Sequence, residues 1–191
     1  MKNLLFAVCL LSSGLARSAE PGLPTPAQLR KDDPKALVSQ FVAADAKGLQ
    51  TSSANWALVE AFTDWKDGPG YDTAVVARSS VVGEATVKGS RAVVPVTYSY
   101  IGDLSYSGSA DCPKRECVEL KPRDPATAVV SFELNRTDKG WVIMGPQSGP
   151  VVGVEFALAH ARQDPLRCRE GSCDRDPAVL ALKKALKPLG R

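Results

Sequence analysis

Thr73-Ala-Val-Val-Ala-Arg-Ser-Ser-Val-Val-Gly-Glu-Ala-Thr-Val87, then Lys88-Gly89-Ser90, then Arg91-Ala-Val-Val-Pro-Val-Thr-Tyr-Ser-Tyr100 is the stretch on which the fold turns. The first run is rich in Val, Ala and Thr and reads as a long strand. Lys88-Gly89-Ser90 reads as a hairpin turn. In the second run Val94, Val96, Tyr98 and Tyr100 share one face, while Val93, Thr97 and Ser99 share the other. Pro95 has no N–H to give a ladder, which places it at an edge or a bulge. Downstream, residues 102–125 read as a long polar excursion. Ala126 to Asn135 reads as a third strand with Val130, Phe132 and Leu134 inward. Thr137-Asp138-Lys139-Gly140 is a turn, and Trp141 to Met144 a fourth strand that Gly145-Pro146 and Gly149-Pro150 stop.

On either side the period changes from two to 3.6. Asp33-Pro34 starts a helix, with Asp as cap and Pro at the first helical position. Leu37, Val38, Phe41, Val42 and Ala44 give it an apolar face as far as Lys47, and Gly48 ends it. A second start at Thr51-Ser52-Ser53 leads into Trp56, Ala57, Leu58, Val59, Ala61, Phe62 and Trp65 at helical spacing. Asp67-Gly68-Pro69-Gly70 then breaks the chain. After the strands, Val151 to Gln163 reads as a helix. Asp176-Pro177 starts a last one, with Val179, Leu182 and Leu186 apolar and Lys183, Lys184 and Lys187 polar. The expected class is α+β: N-terminal helices packed on a curved antiparallel sheet of four or more strands that forms a cone, followed by C-terminal helices.

The N-terminus has the layout of a cleavable secretory signal. Lys2 carries the charge, Leu4 to Leu15 is an uncharged run of about a dozen residues, and small residues follow. Cleavage is expected after Ala16 or Ser18, so residues 1–18 are the signal. The apolar run is too short to span roughly 30 Å of hydrocarbon. Residues 19–32, Pro-rich and polar, read as a flexible lead, 33–150 as the α+β domain, and 151–191 as a C-terminal helical extension. The mature protein is expected in the periplasm or outside the cell. Taking Lys2 and Arg17 from the 24 basic residues leaves 22 against 21 acidic, a balance that argues against nucleic acid. Within 162–191 the balance is eight basic to four acidic, a modestly basic tail.

Of the five cysteines, Cys9 leaves with the signal. The other four form two pairs of identical spacing, Cys112-Pro-Lys-Arg-Glu-Cys117 and Cys168-Arg-Glu-Gly-Ser-Cys173. An even number in an oxidising compartment reads as disulfides. Three connectivities exist. Local pairing closes the shortest loops and is favoured, whereas crossed pairing would tie the tail to the sheet. A four-thiolate zinc site is the weaker rival, because zinc ligands usually sit two to four residues apart. No metal or other cofactor is expected.

Phe41-x3-Asp45-x2-Gly48-Leu49, Trp56 to Trp65, the Gly-Pro-Gly-Tyr-Asp break, Arg91 to Tyr98 and Lys139-Gly140-Trp141-Val142-Ile143 together resemble NTF2-like (cystatin-like α+β, ketosteroid-isomerase-type) domains over roughly residues 34–150. The resemblance implies a cone with an interior cavity and makes a dimer plausible for the fold. It implies no single activity, since such domains include isomerases, dehydratases and non-catalytic binding modules.

Groups for catalysis are sparse. His160 is the only histidine and lies in a helix beyond the sheet. There is no Gly-x-Ser-x-Gly, His-Glu-x-x-His, phosphate-binding glycine loop or Ser-x-x-Lys. Asp64, Asp67 and Asp72 near the cone's mouth, with Tyr98 and Tyr100, are the groups left for proton transfer. Trp56, Phe62, Tyr98, Tyr100, Phe132 and Trp141 either line a ligand cavity or form the core. The leading expectation is an exported, non-catalytic binding domain for a small apolar ligand or an envelope protein, an inhibitor or immunity protein being one form of it. The alternative is a lyase- or isomerase-type enzyme using a pocket carboxylate and a tyrosine. In protein recovered from the envelope, Cys112, Cys117, Cys168 and Cys173 should resist alkylation until a reductant is added. Alkylation without reductant would refute the disulfides.

Overall fold

The computed structural model describes residues 22–66, 73–107, 117–163 and 176–187. The signal segment, Asp67, Asp72, and Cys112, Cys168 and Cys173 lie outside them, as does the side chain of Cys117. The two helices before the sheet are α1 (Pro34–Asp45) and α2 (Trp56–Phe62). Asp33 caps α1 by accepting from the N–H groups of Lys35 and Ala36, which satisfies amides the first turn leaves open. Between the helices, two short 3-10 turns (Leu49–Thr51 and Ser53–Asn55) carry the chain round.

Among the described residues seven strands follow: β1 (Thr73–Val82), β2 (Thr86–Lys88), β3 (Arg91–Ser107), β4 (Cys117–Pro122), β5 (Thr127–Thr137), β6 (Gly140–Gly145) and β7 (Val151–Gly153). They make one curled sheet of order β6-β5-β3-β1-β7, with β2 and β4 also paired to β3. The fold is α+β, as the patterning implies. The 17-residue β3 is its spine. One edge of β3 takes β2 and then β1, and the other takes β5 and then β4.

Two expectations need correcting. Residues 102–125 are not one polar excursion. β3 runs on to Ser107 and β4 returns against it, with Gly102 facing Pro122 and Leu104 facing Leu120. Val151 to Gly153 is not the first turn of a helix but a strand, and it pairs parallel with Val75 to Ala77 of β1. The sheet is therefore mixed rather than purely antiparallel, and the helix starts at Val154 (α3, Val154–Gln163). Of the two placements its missing donor allows, Pro95 takes the bulge: it lies on the central strand where residues 83–85 stand opposite 94 and 95. Its carbonyl accepts from Gly83 N–H at 2.7 Å, where the chain between β1 and β2 steps out of the ladder. The donor it lacks falls at that interruption.

Two apolar clusters lie against the sheet. In the first, α1 and α2 cover β3, β5 and β6. The Phe41 ring meets Phe62, Trp65 and Phe132 edge-on at 5.5–5.8 Å, a geometry worth about 0.5–1.5 kcal/mol per pair beyond area burial. In the second, Val76, Leu104 and Val152 meet α3 and the last helix, α4 (Pro177–Leu186). Asp176 caps α4 through the N–H groups of Ala178 and Val179.

Residues 22–32, which their composition reads as a loose lead, have a fixed path here. Leu23 and Leu29 pack on the first cluster. Lys31 accepts from Trp141 N–H, and Gln40 accepts from Arg30 N–H while donating to Gln28.

The two halves meet at the end of α1. Gly48 takes φ +88°, and a Cβ there would stand 2.2 Å from the Phe156 ring of α3. Gly89 takes φ +61° in open space. Gly89→Ala should therefore cost only the left-handed penalty, roughly 1–2 kcal/mol. Gly48→Ala adds displacement of Phe156 and should cost more than that in chemical denaturation. Equal losses would show that the Gly48–Phe156 approach does not hold the halves together.

Candidate functional site

Asp45 ends α1 on its buried side, only 3 % exposed. It stands four residues after Phe41 and so shares the core-facing side of the helix. Its Oδ2 accepts from Val151 N–H at 2.7 Å, tying α1 to β7. Next to it, Ala46 accepts from Gly153 N–H at 2.8 Å. Burial raises the Asp45 carboxyl to about 7; the Val151 N–H and the neighbouring Gln50 oppose the rise without cancelling it. Oδ1 closes no hydrogen bond of normal geometry, and neither does the Gln50 side-chain amide. Tyr98, also buried, has its phenol pushed well up, first by desolvation and then by the Asp45 charge.

From Tyr98 a stack leads outward. Its ring lies parallel to Tyr100 at 5.7 Å, and the Arg123 guanidinium sits over Tyr100 at 5.0 Å. Arg123 in turn bonds Asp103. Desolvation lifts the Tyr100 phenol too, with Arg123 opposing. Tyr98, Phe62, Phe132 and Trp141 are all buried in the first cluster, with Trp56 and Tyr100 half-buried against it. None of these six side chains lines either of the depressions described below. Asp64 is exposed and pairs with Lys66 at 2.6 Å. His160 is exposed on α3 with its ring stacked on Phe156.

The larger depression, about 590 Å³, lies at the seam between the halves. The end of α1 contributes Ala43, Ala46 and Lys47, β1 contributes Arg78, the β7–α3 junction Gly153 to Glu155, and the end of α4 Ala185 to Lys187. Its floor is apolar, and its rim carries three cations and one carboxylate. A second, about 430 Å³, lies on the outer sheet face beside Val93, Glu133 and Met144. Val81 and Val129 are exposed on that face, at 66 % and 63 %.

Among the described residues, no three His, Cys, Asp or Glu side chains gather to hold a metal ion. No described helix is long and apolar enough to cross a membrane. No protein-family model, curated protein or solved structure matches the chain.

The sequence reading missed both Asp45 as a buried acid and the seam depression. Asp45 carried a signal, a charge at i+4 from Phe41 on an apolar helix face. The depression carried none, because its cations come from positions 47, 78 and 187.

A carboxyl raised from 3.8 to about 7 contributes its full stability below pH 4 and loses it as pH climbs through 7. Asp45→Asn keeps an acceptor for Val151 without the buried charge. It should be the more stable protein at pH 8, by up to about 4 kcal/mol, with the gap closing below pH 4. A gap independent of pH in urea denaturation would contradict the buried acid.

Proposed function

We propose that this protein is an exported, non-catalytic binding domain that takes a small ligand in the seam depression. The observation that supports this is the depression itself. Its volume falls within the range of small-molecule sites, and it has an apolar floor with a few polar groups at the rim. The NTF2-like resemblance fits such a role but places the ligand inside the cone, where Phe62, Phe132 and Trp141 now form the core. Export rests on the signal-like N-terminus and on the paired cysteines.

A second reading, a lyase- or isomerase-type enzyme, draws on the one buried acid among the described residues. Asp45 titrates near neutrality beside Tyr98, as a general acid–base group would. Against it, Oδ2 is already committed to Val151, and Asp45 lines neither described depression.

Ala43 is exposed on α1 at the wall of the depression, so Ala43→Trp should fill the site without disturbing the core. Native mass spectrometry of protein taken from envelope extract should show a bound small molecule that Ala43→Trp loses. A ligand retained equally by Ala43→Trp would move the site elsewhere. A ligand turned over by wild type but not by Asp45→Asn would favour the enzyme.

A further inference from the structure

Resting on that site, we infer that its ligand is an anionic amphiphile: a carboxylate or phosphate monoester head on a short alkyl body. Lys47, Arg78 and Lys187 face Glu155 alone, so the rim carries a net positive charge. Glu155 forms no ion pair with any of the three among the described residues. Arg78 makes no hydrogen bond or ion pair with any described residue, leaving its whole fork of donors for an oxyanion. Lys47 gives one N–H to Gly22 at 2.9 Å and keeps two.

Lys47 and Lys187 follow helix ends, where cations often serve the last carbonyls. Several of those carbonyls already accept from backbone N–H groups. Asp45 O accepts from Gly48 N–H, Ala46 O from Gly153 N–H, and Lys184 O from Lys187 N–H. At those carbonyls the ammonium groups are not needed as caps. The first turn of α3, entering at Val154 and Glu155, adds amide N–H groups and the positive end of the helix dipole. Beneath these groups lie Ala43, Ala46, Val154 and Leu186, with Leu186 41 % exposed. That surface suits a few methylenes, each of which adds to binding as it leaves water.

The test uses decanoate and decyl phosphate below their aggregation limits, with decanol as the neutral control, in titration calorimetry. Both anions should bind at least tenfold tighter than decanol. Arg78→Gln should weaken the anions about tenfold and leave decanol unchanged, and added salt should weaken the anions alone. If decanol binds as tightly as decanoate, yet Ala43→Trp abolishes both, the anionic class is wrong and the site stands. If Ala43→Trp and wild type bind the amphiphiles alike, the site reading itself fails. If none of the three binds, the inference is overturned. Sedimentation with phosphatidylglycerol vesicles, without binding of monomeric decanoate, would also overturn it, in favour of a lipid surface.

Discussion

The end of α1 is where this molecule is joined. Within four residues it supplies the Asp45 carboxylate to Val151, the Ala46 carbonyl to Gly153, and the bare Cα of Gly48 to the Phe156 ring. β7 is only three residues long, and alone it would be a marginal edge strand. Held from below by α1 and from the side by β1, it fixes the point where α3 leaves the sheet. The positions of α3 and α4, and hence the walls of the depression, follow from those contacts. Asp45 carries a tension in this role. The hydrogen bond it accepts requires a buried acceptor, while burial penalises the charge on the same group.

β3 is the second constraint. It pairs with β1, β2, β4 and β5, so both apolar clusters share one backbone. Its first half holds Val94, Val96 and Tyr98 under α1, and its second half holds Leu104 under the C-terminal helices. The break between β1 and β2 opposite Pro95, and the register shifts in β1 near Ala77, let the two halves of the sheet turn relative to each other. The C-terminal segment is thus an integral layer on the same sheet, where composition suggested an appendage.

Elements with local grammar could be read from sequence. Asp33-Pro34 and Asp176-Pro177 are helix starts whose caps are made as expected. The turn at Lys88-Gly89-Ser90 and the alternation through Val94, Val96 and Tyr98 locate the first hairpin. What could not be read was set by tertiary contact. Residues 102–107 carry only Leu104 and Tyr106 among Gly, Asp and Ser, too weak an alternation to mark a strand on its own, and β4 pairs beside them. Val151-Val152-Gly153 looks like helix because its parallel partner is some 75 residues away in sequence. The six aromatic positions could be picked out as a group that either lines a cavity or fills a core, and spacing cannot separate the two. In the structure four of the six are buried. The rim cations could not have been grouped at all, since three distant segments bring them together.

The central claim is that the seam held by α1 is a binding site for an anion with an apolar body. Amide chemical shifts followed during a decanoate titration test it most directly. The account predicts saturable shifts at Ala46, Arg78, Gly153, Val154 and Lys187, with Tyr98, Tyr100 and Arg123 unmoved. Shifts confined to the Tyr98–Tyr100–Arg123 stack, or no saturable shift at the seam, would contradict it.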